Sequence, residues 1–168
     1  MADEIMTAAE AMEASAMPCA RAVHCDDETP ATPEQMPLPY AVAKKPVSQK
    51  GPAEWAYERL ILYLKHFEEQ LDKNHEVAMG FTGSSAGVLR IEGVGYFDPD
   101  ILTFYGKDET GTKMQLIQHV TQLNVVLRAV SKQTPDEEPA RRIGFRLAQD
   151  LGEAESDLPI PPVTEQDE

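Results

Sequence analysis

The stretch Val88-Leu89-Arg90-Ile91-Glu92-Gly93-Val94-Gly95-Tyr96-Phe97-Asp98-Pro99-Asp100-Ile101-Leu102-Thr103-Phe104-Tyr105-Gly106 decides the fold. In its first half Leu89 and Ile91 alternate with Arg90 and Glu92, the period of two that marks a strand with one buried face. Gly93 and Gly95 interrupt that run and predict a bulge or bend. Asp98-Pro99-Asp100 reads as a turn, with proline where its fixed φ is useful. Residues 101–105 then return as a second strand. Gly106-Lys107-Asp108-Glu109-Thr110-Gly111-Thr112 predicts a hairpin loop, Gly111 supplying a positive φ, and residues 113–120 are the strand that follows it.

Weaker signals flank this meander. Residues 76–82 form a faint strand closed by Gly83-Ser84-Ser85-Ala86-Gly87. Residues 123–130 are a β-branched run, although 120–130 also fits a helix. Upstream, Tyr57, Leu60, Ile61, Leu64, Phe67 and Leu71 gather on one side of a helix predicted over 54–73, with Pro52 in its first turn. Trp55, Leu62 and His66 project from the other side, so a second element or a second copy of the chain is expected there. Downstream, Pro139 is expected to head a helix with Ala140, Ile143, Gly144, Leu147 and Leu151 inward and Gly152 as its stop. Helix, about five antiparallel strands and helix make an α+β domain, with an N-terminal and a C-terminal helix packed on the sheet. Short connections favour a meander, and the alternative is a small Sm-like or OB-like barrel.

The domain is expected over residues 52–152. Residues 1–51 read as a disordered Ala/Pro-rich arm, because seven of the chain's 13 prolines lie in 1–52 and Tyr40 is the one aromatic residue of the arm. Residues 1–17 are rich in the helix formers Ala, Glu and Met, so one transient amphipathic helix fits there. Residues 153–168 read as a disordered acidic tail containing Pro159, Pro161 and Pro162. The chain carries 29 acidic and 15 basic residues, a formal net charge of −14. Half of that charge lies in residues 133–168, which hold ten acidic and three basic residues. The excess of negative charge argues against duplex nucleic acid. No apolar run is long enough for a membrane helix. Asp3 and Glu4 stand where a secretory signal needs positive charge, so a cytoplasmic location is expected.

Sites of chemistry are weakly marked. Cys19, His24 and Cys25 match no zinc spacing, and His66, His75 and His119 are scattered, so no metal and no cofactor is expected. Ser84, His119 and Asp98 would need to converge to form a ligand or catalytic pocket, and no nucleophile elbow surrounds the serines. Gly83 to Gly87 lacks the Lys-Ser/Thr ending of a phosphate loop. Arg141, Arg142 and Arg146, with Arg128 upstream, form a cationic cluster. An acidic partner or a single-stranded RNA beside Tyr96, Phe104 and Tyr105 would suit it. Pairing of Glu137 and Glu138 with Arg141 and Arg142 four residues on is the simpler account. Gln115, Gln118, His119, Gln122 and Asn124 make an uncharged polar set suited to an interface.

At Gly93 to Gly106, at Met114-Gln115-Leu116-Ile117-Gln118-His119-Val120-Thr121-Gln122-Leu123-Asn124 and at Glu138-Pro139-Ala140-Arg141-Arg142-Ile143-Gly144-Phe145-Arg146-Leu147, the chain resembles an uncharacterised family of small bacterial proteins, a domain of unknown function. The resemblance covers about residues 53–152. It implies that the three stretches belong to one domain, and it carries no activity, cofactor or site. The residues point first to a non-enzymatic protein-binding or regulatory module, with a homodimer as one form. Trp55, Leu62, His66, the polar set and the three arginines are its candidate contacts. A small-ligand sensor or enzyme with a pocket near His119 is the alternative, and single-stranded RNA binding the third reading.

Overall fold

The computed structural model of the chain describes residues 19–83, 85 and 87–153. Its helices are α1 (Tyr40–Ala43), α2 (Pro52–Glu69) and α3 (Ile143–Glu153), and its strands are β1 (His75–Phe81), β2 (Val88–Phe97), β3 (Ile101–Lys107), β4 (Lys113–His119) and β5 (Val125–Ser131). Single 3-10 turns lie at Pro33–Gln35, Val47–Gln49 and Val120–Gln122. The architecture is α+β, a five-stranded antiparallel sheet with helices packed on it.

The strand order is β4-β3-β2-β1-β5. Four strands form the predicted meander. The fifth departs from it and pairs along its whole length with β1, Phe81 opposite Val125 and His75 opposite Ser131. Consecutive strands β4 and β5 therefore lie at opposite edges. A flat sheet would separate those edges by about 19 Å, and because β4 and β5 run in the same direction it would also set the end of β4 and the start of β5 at opposite ends of their strands. The link between them is five residues, three of them in a 3-10 turn, with a reach of only about 16 Å. The sheet must therefore curl toward α2. It does not close: among the described residues no ladder joins β4 to β5, so neither barrel form is adopted. Residues 120–130, ambiguous in the sequence, divide into that turn and β5.

Register assigns the two faces. Phe104 stands opposite Val94 and Leu116, Leu102 opposite Tyr96 and Gln118, and Met79 opposite Leu127. These face α2 and meet Ala53, Tyr57, Leu60, Ile61 and Leu64 in one core with Leu89, Ile91 and Leu147. The ladder slips between Ile91 and Gly93, the bulge expected from the glycines. It lets Ile91 and Val94 both face inward although they are three residues apart.

Two helix ends differ from the reading. α2 stops at Glu69 rather than 73, because the Asp72 carboxylate accepts the Asn74 N–H and turns the chain toward β1. α3 begins at Ile143 rather than Pro139, and it runs on through Glu153, past Gly152. The cause of the late start is tertiary. Glu76 of β1 accepts the Arg141 N–H at 2.9 Å, and the Arg142 guanidinium donates to the carbonyls of His75 and Asp72 at 2.7 and 2.8 Å. Residues 139–142 are thus tied to β1 instead of forming a first turn. Glu68 of α2 then caps α3, its Oε2 accepting the Phe145 N–H at 3.1 Å. Gly144 permits that approach, since a Cβ there would lie 2.6 Å from the Lys65 nitrogen.

The arm of the sequence reading divides. Residues 1–18 lie outside the described residues, as do 154–168 of the tail. Residues 33–50 lie along α2, where Val42 is 1% exposed and Lys50 pairs with Glu58.

Candidate functional site

The face of β2, β3 and β4 turned away from α2 follows from the same register. Gly95 lies opposite Thr103 and Thr103 opposite Ile117; Gly93 lies opposite Tyr105 and Tyr105 opposite Gln115; Phe97 lies opposite Ile101 and Ile101 opposite His119. Three large apolar side chains stand exposed on this face, Phe97 at 75%, Ile117 at 62% and Tyr105 at 44%. Gly93 and Gly95 leave room for the Tyr105 ring, which passes within 3.5 Å of the Gly93 Cβ position. Charge is confined to the margins. Lys107 pairs with Glu92 at 3.1 Å, Arg141 reaches the same carboxylate at 3.4 Å, and Lys113 and Asp100 stand at strand ends. The Lys107 ammonium beside Glu92 holds that carboxyl below its ordinary value.

His119 sits at one corner, and its polar atoms are engaged. The Thr121 N–H donates to Nδ1 at 3.2 Å, which leaves Nε2 to donate to Asp100 at 3.1 Å. The His119 N–H donates to Gln122 Oε1, closing a capping box around the Val120–Gln122 turn. These bonds steer the chain from β4 toward β5.

The polar set expected at an interface is therefore split. Gln115 and His119 belong to the outer face. Gln118 points inward, is buried, and its Nε2 has no hydrogen-bond partner among the described residues. Gln122 and Asn124 are exposed on the β4–β5 connection. Ser84 lies outside the described residues.

Of the four arginines of the expected cationic cluster, Arg141, Arg142 and Arg146 line one hollow and Arg128 stands apart. Glu76, buried on β1, faces both Arg90 and Arg141 at 3.7 Å and ties the β5–α3 connection to the sheet. Because residues 139–142 are not helical, the expected pairing of Glu137 and Glu138 with Arg141 and Arg142 along a helix face does not arise. Arg146 is exposed on α3 and lines, with Arg141 and Arg142, a hollow of about 310 Å³ that Ile91, Glu92 and Ile143 complete. Arg128 is exposed on β5.

The second side of α2 has a cover within the chain. Trp55 is flanked by Lys50 and Arg59 at 4.9 and 4.5 Å from the ring centroid. Leu62 and His66 line a hollow with Pro33, Met36, Pro37 and Pro39. The neighbouring hollow joins Ala20, Leu38, Trp55, Leu62 and Tyr63, and Tyr63 donates to Glu34. Burial and that bond raise the Tyr63 hydroxyl to about 12.

Sequence reasoning passed over Phe97, Ile117 and Tyr63. Alternation along 113–119 was the available signal for Ile117, since it shares a strand face with Gln115 and His119. Among the described residues no group of three His, Cys, Asp or Glu side chains is arranged to hold a metal ion. No helix among them is long and apolar enough to cross a membrane.

No curated protein and no solved structure matches the chain. A family model described as a family of unknown function (DUF6173) matches residues 47–146, from the Val47–Gln49 turn through the whole sheet and into α3. With more than half of its length covered, the chain belongs to that family, DUF6173.

Proposed function

We propose that the domain works by binding rather than catalysis, and that the outer face of β2, β3 and β4 receives the same face of a second copy of the chain. The observation that carries this reading is the exposure of Phe97, Tyr105 and Ile117 together on one uncharged sheet face. Contiguous apolar surface of this kind is a recurrent mark of association sites. A two-fold contact needs a self-complementary patch, and small, aromatic and amide side chains meet that need without setting like charges against each other. Sheets packed face to face bury such alternating residues in a layer about 10 Å thick. The engagement of His119 in a turn supports binding over acid–base chemistry.

Single-stranded RNA could stack on the same rings, but phosphate needs cations. Of the two lysines at this margin, Lys107 already pairs with Glu92. A protein surface is the better match.

Light scattering coupled to size exclusion tests the reading. The wild-type chain should show a concentration-dependent dimer. Ile117→Glu should weaken it tenfold or more, about 1.4 kcal/mol, with unchanged circular dichroism. A wild-type chain that stays monomeric at all concentrations, or an Ile117→Glu dimer of undiminished strength, would remove it.

A further inference from the structure

A second apolar site lies on the far side of the core. Leu60, Tyr63 and Leu64 of α2 and Leu123, Val125 and Leu127 at β5 line an open groove of about 320 Å³. Apart from the Tyr63 hydroxyl, which is engaged with Glu34, no polar side chain lines it. The β5 strand is an edge of the sheet, so the groove ends on an unpaired backbone rim.

We propose that this groove is the docking site of the chain's own N-terminal segment, residues 5–17, laid in as an amphipathic helix. The place where the described chain begins is the first support. Ala20 lines the hollow on one side of Tyr63, and the groove opens on the other side of the same residue. Three residues, 18–20, link the segment to that point, and they span at most about 10 Å. The segment is therefore delivered to the groove rim at high effective concentration.

Its sequence fits the groove. Ile5, Ala9, Met12 and Ala16 are spaced by 4, 3 and 4 residues, which brings them onto one stripe of a helix. Glu10, Thr7 and Ala14 fall on the opposite side. Alanines let the helix backbone come close to a shallow groove, and the unbranched Met12 can adapt to its contour. Asp3 and Glu4 would sit favourably at the helix N-terminus, and Pro18 follows where the helix must end. Thirteen residues make a helix about 20 Å long, enough to cover the rim beside residues 123–127.

Hydrogen–deuterium exchange on the full chain tests the docking at two protein concentrations. The double variant Ile5→Asp/Met12→Asp places charge on the docking stripe. Thr7→Asp/Ala14→Asp places the same charge on the opposite side. Both sets lie outside the described residues and leave every core residue unchanged, so folding should be retained. The first variant should exchange about threefold faster than wild type over residues 123–127, and the second should match wild type. Equal exchange in all three chains would overturn the proposal, as would equal acceleration by both variants. Protection of the wild-type groove that appears only at the higher concentration would assign it to a second copy, and would overturn it too. Because the outer sheet face is untouched by these variants, the dimer readout with Ile117→Glu stays independent.

Discussion

The two sides of α2 are buried by different means. Toward the sheet, Ala53, Tyr57, Leu60, Ile61 and Leu64 meet side chains from all five strands and form a continuous core. Away from it, Trp55, Leu62 and His66 are covered by a strap, residues 33–50, that contributes Pro33, Met36, Pro37, Leu38 and Pro39. A pleated sheet presents a side chain to one face every second residue, so its inner surface fills closely except at the groove of about 320 Å³ beside β5. A proline-rich strap makes no ladder and leaves hollows of about 200 and 50 Å³ against the helix. It is held by polar pins instead: Glu34 to Tyr63, Lys45 to Glu54 at 3.0 Å, and Lys50 to Glu58. One side of the helix is stabilised by packing, the other by a few directed contacts.

If the pins carry the strap, cutting the most buried one should have the largest effect. Lys50 and Glu58 are both nearly inaccessible, and the Lys50 ammonium also donates to the Val42 carbonyl. Lys50→Ala leaves the Glu58 carboxylate in an apolar setting, a loss of about 3–5 kcal/mol at neutral pH. The double change Lys50→Met/Glu58→Leu should recover most of it, because no charge is then buried. Burial already raises the Glu58 carboxyl above its ordinary value, and Lys50 partly offsets this. A group whose folded pKa is raised favours folding when protonated, so its contribution declines as pH rises through that value. The penalty of Lys50→Ala should therefore be smaller at pH 5 than at pH 7. Urea unfolding of both variants at the two pH values measures it, and a pH-independent penalty would mean that packing of the lysine stem matters more than its charge.

The packing contrast is tested on one helix, two residues apart. Leu64 is fully buried against the sheet, whereas Leu62 is half-buried against the strap. Leu64→Ala should cost about 2–5 kcal/mol. Leu62→Ala should cost well under half of that, since its cavity opens onto one that already exists. Equal losses would show the strap to be packed as tightly as the sheet.

Legibility in the sequence follows the same division. Alternation along Val88–Phe97, the Asp98–Asp100 turn and the bulge near Gly93 are local features, and local features were readable. The inner stripe of α2 was readable for the same reason. What sequence could not convey is pairing between distant segments. Nothing in residues 123–131 says that they will join β1 rather than β4; the turn bonded through His119 and Asp100 sends them there. The strap was hidden because its binding depends on Lys50 meeting Glu58 and Glu34 meeting Tyr63, not on apolar periodicity. The candidate face was half legible: Gln115 and His119 were singled out, but Phe97 and Ile117 were not counted as a surface.

Glu68 is the smallest and most diagnostic case, because it imitates a pin inside the packed side. The residue is 2% exposed; its Oε2 caps α3, while Oε1 has no partner among the described residues. Burial pushes its carboxyl above the ordinary value against the opposing pull of the α3 amides. With a raised folded pKa the sign matches that of Glu58: stability is greater when the group is protonated and falls as pH rises through the folded value. Glu68→Ala removes the acceptor and should cost about 1–3 kcal/mol. Glu68→Gln keeps an acceptor of the same reach and removes the buried charge, so at pH 7 it should match or exceed wild type, and its stability should vary less between pH 5 and 7. The comparison of the two variants separates geometry from charge. An amide as damaging as alanine would mean that α3 is held by the negative charge facing its positive dipole end, and the packed side of the molecule would then depend on electrostatics as much as the strap does.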